Sequence, residues 1–148
     1  MKYYIAYGMN TNLEQMRSRC PRSIALGKVI LPNHTLAFKG CCDIVPTQGQ
    51  DMECALWLIT DECERSLDQL EGYPFSYDKK EVLVEYDGQK IWAMVYHMHE
   101  DSELASPSRY YLNLVLDGYE DFNMDLEQVI TALNETLETE DHVYYSWH

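Results

Sequence analysis

The sequence predicts a single α+β domain, and three observations carry that prediction. Short aromatic and β-branched runs fill the first two thirds of the chain. Apolar residues at helical spacing interrupt and then follow them, and nothing along residues 1–148 repeats or reads as a linker. A length of 148 residues with 46% apolar and 24% charged side chains matches one folded unit of the common size, and excludes a disordered or fibrous chain.

Residues 3–7 are aromatic and apolar and stop at Gly8, as a buried strand does. The polar run Asn10-Thr11-Asn12 then precedes Leu13, Met16 and Cys20 at helical spacing, with Thr11 or Asn12 as the N-cap and Pro21 beyond the end. Residues 24–31 and 35–38 read as strands separated by Pro32-Asn33. Residues 43–45 continue the sheet to a loop at 46–50, and residues 52–59 form a further buried strand.

A short helix carrying Cys63, Leu67 and Leu70 starts from Thr60 or Asp61, with Asp61 and Glu64 spaced as a capping box, and Gly72 stands at its stop. Residues 81–86 and 90–98 flank Asp87-Gly88, a hairpin signal, because both residues tolerate positive φ. Ser106-Pro107 reads as an N-cap with proline at the first helical position, and Gly118 closes that helix. The final helix, from about residue 125 to 137, aligns Leu126, Val129, Ile130, Leu133 and Leu137 on one face.

With 25 acidic against 11 basic side chains the formal charge is −14, which repels nucleic-acid phosphates and anionic lipid head groups. Nucleic-acid and membrane partners are therefore not expected. Nine of the acids fall between Asp117 and Asp141 with no Lys or Arg among them, as on a solvated acidic surface. No stretch approaches the roughly 20 apolar residues of a membrane span, and Met1-Lys2-Tyr3-Tyr4-Ile5 is too short and mixed for a signal peptide, so a cytoplasmic location is the expectation. The five cysteines are odd in number and lack C-x-x-C spacing, which reads as reduced thiols, mostly in the core.

Two segments break local rules. Tyr7-Gly8-Met9-Asn10 is a tight strand-to-helix turn, a place where unpaired main-chain N–H groups and a helix dipole can hold a carboxylate or a developing oxyanion. In Leu67-Asp68-Gln69-Leu70-Glu71-Gly72-Tyr73-Pro74, Glu71 sits in the last turn of a helix, where the dipole disfavours its charged form. Burial among Leu70, Tyr73 and Pro74 would act in the same direction and raise its pKa towards the range useful for proton transfer.

Together the segments resemble the γ-glutamylcyclotransferase-like proteins. Tyr7-Gly8-Met9-Asn10 is similar to that family's Y-G-S-N loop, and Leu67-Asp68, Glu71-Gly72-Tyr73-Pro74 and Tyr77 are similar to its L-D-x-x-E-G-x-P-x-x-Y segment. Met16-Arg17-Ser18-Arg19-Cys20-Pro21, the strand over residues 90–96, and Pro107-Ser108-Arg109-Tyr110 ahead of Gly118 follow in the family's order.

The resemblance implies a small mixed β-barrel flanked by α-helices, with the Tyr7 to Asn10 loop and Glu71 facing each other across a cavity. It implies release of 5-oxoproline from a small-molecule γ-glutamyl compound, with no cofactor and no metal. Glu71 would be the general acid/base; Gly8, Met9 and Asn10 would grip the substrate, with Tyr7, Tyr77 and Tyr110 beside it. The family's loop serine is Met9 here, which is harmless if only the main-chain N–H matters and removes a contact if the hydroxyl does. Cys54 stands where the family often has glycine, which would narrow the cavity wall.

Other chemistries have less behind them. No histidine or asparagine is placed by sequence to activate a thiol among Cys20, Cys41 and Cys42. His97 and His99 share a strand face, but no third metal ligand is evident, and His142 and His148 carry no pattern. The competing class is a non-catalytic acidic binding protein on the same scaffold, its last third imitating nucleic acid. An enzyme would depend on Glu71 and ignore moderate salt, whereas a charge mimic would depend on the acids after Asp117 and weaken as salt rises.

Overall fold

The computed structural model describes residues 1–147, with side chains through Glu140. Asp141 and His142 thus lie outside the described side chains, and His148 outside the described residues. Five strands form one sheet. At its centre β1 (Lys2–Ala6) runs antiparallel to β3 (Cys41–Ile59) and parallel to β5 (Gln89–Met98). Outside these lie β2 (Ile24–Lys39) and β4 (Tyr77–Tyr86), giving the order β2-β3-β1-β5-β4. Tyr4, Ile5 and Ala6 are all buried, as a strand covered on both faces requires.

The sheet does not close, so the expected barrel is corrected to an open sheet. Strands β2 and β4 share no main-chain ladder and meet through side chains instead, as where Lys80 Nζ lies 2.9 Å from His34 Nε2. The expected breaks at Pro32-Asn33 and residues 46–50 are also absent. Strands β2 and β3 run through both places as one long hairpin, but the register shifts there: Pro32 pairs with Asp51 and His34 with Pro46, so residues 47–50 bulge without a ladder partner in β2. Asp87 and Gly88, at φ 52° and 77°, form the expected turn between β4 and β5.

Four α-helices occur among the described residues: α1 (Leu13–Arg19), α2 (Asp61–Glu71), α3 (Arg109–Asp121) and α4 (Leu126–Trp147). None is long and apolar enough to cross a membrane. Asn12 caps α1 through Gln15 N, and Thr60 caps α2 through Cys63 N. The Asp61–Glu64 capping box does not form; Glu64 instead pairs with Lys2 at 2.6 Å and Lys79 at 2.7 Å. Helix α3 starts two residues later than expected, with Ser108 accepting from Tyr111 N as its cap.

Gly118 does not end α3 but lies buried inside it. A Cβ there would fall 2.6 Å from Asn12 N and 2.7 Å from Thr11 C, so the glycine serves the close approach of α3 to the turn after β1. The cysteines also need correction. Cys20 at the end of α1 and Cys63 in the first turn of α2 form a disulfide, their Cα atoms 5.1 Å apart, while Cys41, Cys42 and Cys54 remain free. A separation of 43 residues gave no spacing signal, because only the packing of the two helices brings the pair together.

Candidate active site

Tyr7 follows β1 with its hydroxyl donating to Tyr96 O at 2.7 Å, while its own carbonyl accepts from Tyr119 Oη of α3 at 2.9 Å. The chain then makes one 3₁₀ turn over Met9–Thr11, closed by Thr11 N and Thr11 Oγ1 donating to Gly8 O at 3.1 and 2.7 Å. The N–H groups of Gly8, Met9 and Asn10 precede that first bond and so lack a helical acceptor. Because α1 begins only at Leu13, the turn offers these N–H groups without the α-helix dipole expected from sequence, and that expectation is corrected.

The turn is clamped between α3 and β3. A Cβ on Gly8 would meet Tyr111 Oη at 2.8 Å and Cys42 Cβ at 2.9 Å, so α3 and β3 press directly on its backbone. Trp57 Nε1 of β3 donates to Asn10 O at 3.1 Å, and Asn12 Nδ2 donates to Leu114 O at 3.1 Å.

Glu71 enters from the other side. Leu67 and Cys63 bury the inner face of α2, and Gly72, in the left-handed conformation, ends the helix with Tyr73 N donating back to Asp68 O at 2.9 Å. One turn earlier, Asp68 accepts from Tyr96 Oη at 2.6 Å and from Lys79 Nζ at 2.9 Å, which ties the helix to β5 and β4. This places Glu71 Oε1 3.4 Å from Asn10 Nδ2, so the carboxyl and the turn share one hollow.

That hollow is a cavity of about 270 Å³, at the small end of ligand sites. Tyr7, Gly8, Met9, Asn10, Glu71 and Tyr77 all line it, so the structure brings together six of the seven site residues expected from sequence. Tyr110 is the exception. It is 72% exposed, and the adjacent Tyr111, a helical step of about 100° away, lines the cavity in its place. Cys54 is buried and lies outside the cavity wall, so its expected narrowing of the cavity is corrected as well.

Two tyrosines bracket one residue of the far wall: Tyr77 Oη donates to Cys42 O at 2.8 Å, and Tyr111 Oη accepts from Cys42 N at 2.9 Å. Sequence reasoning missed Tyr111, and with it Tyr4, Tyr96 and Arg19. Tyr4 and Tyr96 line the cavity, their rings meeting edge to face at 5.9 Å. Arg19 donates to Asn10 Oδ1 and lies 3.6 Å from Met9 Sδ. Its presence in the Met16 to Pro21 segment was the available signal.

Burial pushes the Glu71 carboxyl from its usual 4.5 up to about 7, with the Arg19 guanidinium pulling the other way. The carboxyl is therefore poised to give and take a proton near neutral pH. Burial also raises Tyr4, Tyr7, Tyr77, Tyr96 and Tyr111, which stay neutral hydrogen-bonding groups. The Cys42 thiol is pushed up to about 12 and Cys41 is raised too, both mainly by burial, so neither supplies a thiolate near neutral pH. His97 and His99 each turn a ring nitrogen to a main-chain carbonyl, of Met98 at 3.1 Å and Phe75 at 2.7 Å.

The mixed α+β fold thus gathers a sheltered carboxyl and a turn of main-chain amides in one cavity, an arrangement able to hold an anionic oxygen and to move a proton beside it. The chain belongs to the gamma-glutamyl cyclotransferase, AIG2-like family, whose profile matches residues 4–113. It is similar to a solved structure described as "Gamma-glutamyl cyclotransferase", with 25% identity and a TM-score of 0.77 over 85% of this chain and 82% of that one. An uncharacterized protein from Homo sapiens is similar at 25% identity and a TM-score of 0.75, over 85% of this chain and 82% of that one. An AIG2-like protein from Mus musculus, 16% identical with a TM-score of 0.59 over 76% of this chain and 82% of that one, shares the fold. No curated protein matches the sequence.

Proposed function

We propose that this protein releases 5-oxoproline from a γ-glutamyl compound, freeing an amine or amino acid. The observation that supports the reading best is a carboxyl with a pKa of about 7 beside Asn10, in the same cavity as the Gly8–Asn10 amides. The substrate's α-amine attacks its own δ-carbonyl, so the nucleophile is already tethered and the protein has mainly to fold the substrate back on itself. The new bond joins the α-nitrogen to the δ-carbon, and the bond from that carbon to the amide nitrogen breaks. The α-ammonium sheds two protons on becoming a lactam N–H, and the departing nitrogen gains two on leaving as an ammonium. Glu71 takes and returns protons between these nitrogens, a role worth roughly a hundredfold to ten-thousandfold in rate. The amides of Gly8, Met9 and Asn10 grip the α-carboxylate or the developing oxyanion, and Tyr77 and Tyr111 shape the wall opposite.

The test incubates the pure protein with γ-glutamyl amines, γ-glutamyl amino acids and glutathione, and measures 5-oxoproline, with Glu71→Gln beside it. Product from at least one compound, lost in Glu71→Gln, supports the reading. Full activity in Glu71→Gln would remove the acid/base role, and silence across the panel would overturn the activity.

A further inference from the structure

We propose that Arg19 is a positioning residue for proton transfer: its guanidinium holds the Asn10 carboxamide in the one orientation that keeps the Glu71 carboxyl and the Gly8–Asn10 turn in register. The kinetic consequence rests on the cyclotransferase reading, whereas the geometry does not.

Asn10 is 5% exposed and all of its polar atoms except the main-chain N–H are engaged. Its Oδ1 accepts from Arg19 Nη1 and its main-chain oxygen accepts from Trp57 Nε1, so Nδ2 must face the cavity, 3.0 Å from Tyr4 Oη and 3.4 Å from Glu71 Oε1. An amide free to turn over would set its oxygen against the carboxylate, acceptor against acceptor. Arg19 forbids that arrangement, because the reversed amide would present an NH₂ group to a guanidinium that has only donors. Arg19 itself does not line the cavity, so it acts through Asn10 rather than on substrate. The next residue, Cys20, is bonded to Cys63 of α2, which fixes the helix carrying Arg19 to the helix carrying Glu71.

Among the described residues, the same guanidinium is the one fixed charge that acts on the carboxyl. Tyr4 of β1, Tyr7 just after it, Cys41 and Cys42 of β3, Tyr77 of β4, Tyr96 of β5 and Tyr111 of α3 line the same cavity, and burial keeps all of them neutral near pH 7. Arg19 is the group that favours the charged form of Glu71.

The experiment compares wild type, Arg19→Met, Asn10→Ala and the double variant in 5-oxoproline release, with Arg19→Lys as the conservative rescue. Arg19→Met keeps the aliphatic stem, and circular dichroism confirms its folding. Arg19→Met is expected to lower kcat about tenfold in the wild-type background and less than threefold on top of Asn10→Ala, because the two residues act as one unit. Arg19→Lys recovers part of that loss and keeps the pH profile near that of wild type, whereas Arg19→Met moves the Glu71 limb to higher pH. Titration of the Glu71 carboxyl by carbon NMR needs no substrate and is expected to move upward in Arg19→Met. Equal costs in the two backgrounds, or an unmoved Glu71 titration, would overturn the proposal. A Glu71→Gln variant that keeps full activity defeats the cyclotransferase mechanism and leaves the NMR result to decide on Arg19. An inactive Glu71→Gln beside a fully active Arg19→Met defeats the Arg19 role alone.

Discussion

Replacing Glu71 by glutamine should make the folded protein more stable at alkaline pH even as it stops proton transfer. In the folded state the carboxyl titrates at about 7 against an ordinary value of 4.5. Below pH 4.5 it is protonated in both states and has no effect. Between 4.5 and 7 the folded chain still holds a proton that the unfolded chain has released, so stability is lost as pH rises, and the loss is complete once pH passes the folded-state value. At 1.36 kcal/mol per tenfold change in proton affinity, the full loss is about 3 kcal/mol, of which about 2.5 kcal/mol falls between pH 5 and pH 8. Glutamine cannot titrate. The stability of Glu71→Gln minus that of wild type should therefore grow by about 2.5 kcal/mol over that interval. At roughly 2–4 °C per kcal/mol this is a Tm difference that widens by about 5–10 °C. Thermal or urea unfolding of both proteins across the pH range measures it, and all other titrating groups cancel in the difference. A pH-independent difference would refute a sheltered carboxyl, and with it the main physical support for the acid/base role.

Gly118→Ala drives a methyl group into the backbone of Thr11 and Asn12, and should cost about 2 kcal/mol or more; an unchanged Tm would mean that α3 can move away freely. Tyr111→Phe leaves Cys42 N without its acceptor and should cost about 1–3 kcal/mol together with some activity. The exposed Tyr110→Phe should stay within about 0.5 kcal/mol of wild type, and parallel melting curves and rate assays separate the two. Asp68→Asn loses the charge that receives Lys79 and Tyr96; a drop of about 1–3 kcal/mol in urea unfolding is expected, and no drop would show that α2 is anchored by its apolar face alone.

The elements that local patterning governs were legible. The apolar face of Cys63 and Leu67, the stop at Gly72 and the turn at Asp87-Gly88 all follow from residues within a few positions of one another. What failed was set by distant partners. Pro32 and Pro46 read as strand breaks, yet the register of the β2–β3 hairpin accommodates both. Gly118 read as a helix end, because glycine gives the same signal whether it is needed for its φ or for the closeness of a neighbour. At the site, Glu71 and the Tyr7 to Asn10 turn stood out because each breaks a local rule. Tyr111 and Arg19 did not, since one tyrosine among 12 and one arginine at a helix end carry no local mark of what they will touch.

Under the proposed function, a division of labour within the cavity would account for both the low identity to relatives and the methionine at position 9. Main-chain N–H groups exist whatever side chain they carry, so a turn that binds through them constrains the backbone and not the residue. Here that constraint falls on Gly8, where Tyr111 and Cys42 leave no room for a Cβ, and on Asn10, whose carboxamide links Arg19 to Glu71. Met9 sits between these two fixed positions and turns its sulfur to within 3.6 Å of Arg19. A hydroxyl at that position is therefore dispensable to the geometry of the turn. Under the proposed function the demanding requirements reduce to one half-buried carboxyl, one amide of fixed orientation and one glycine, held by a sheet whose apolar residues can be exchanged if volume is kept. A fold with so few fixed points can keep a TM-score of 0.77 at 25% identity.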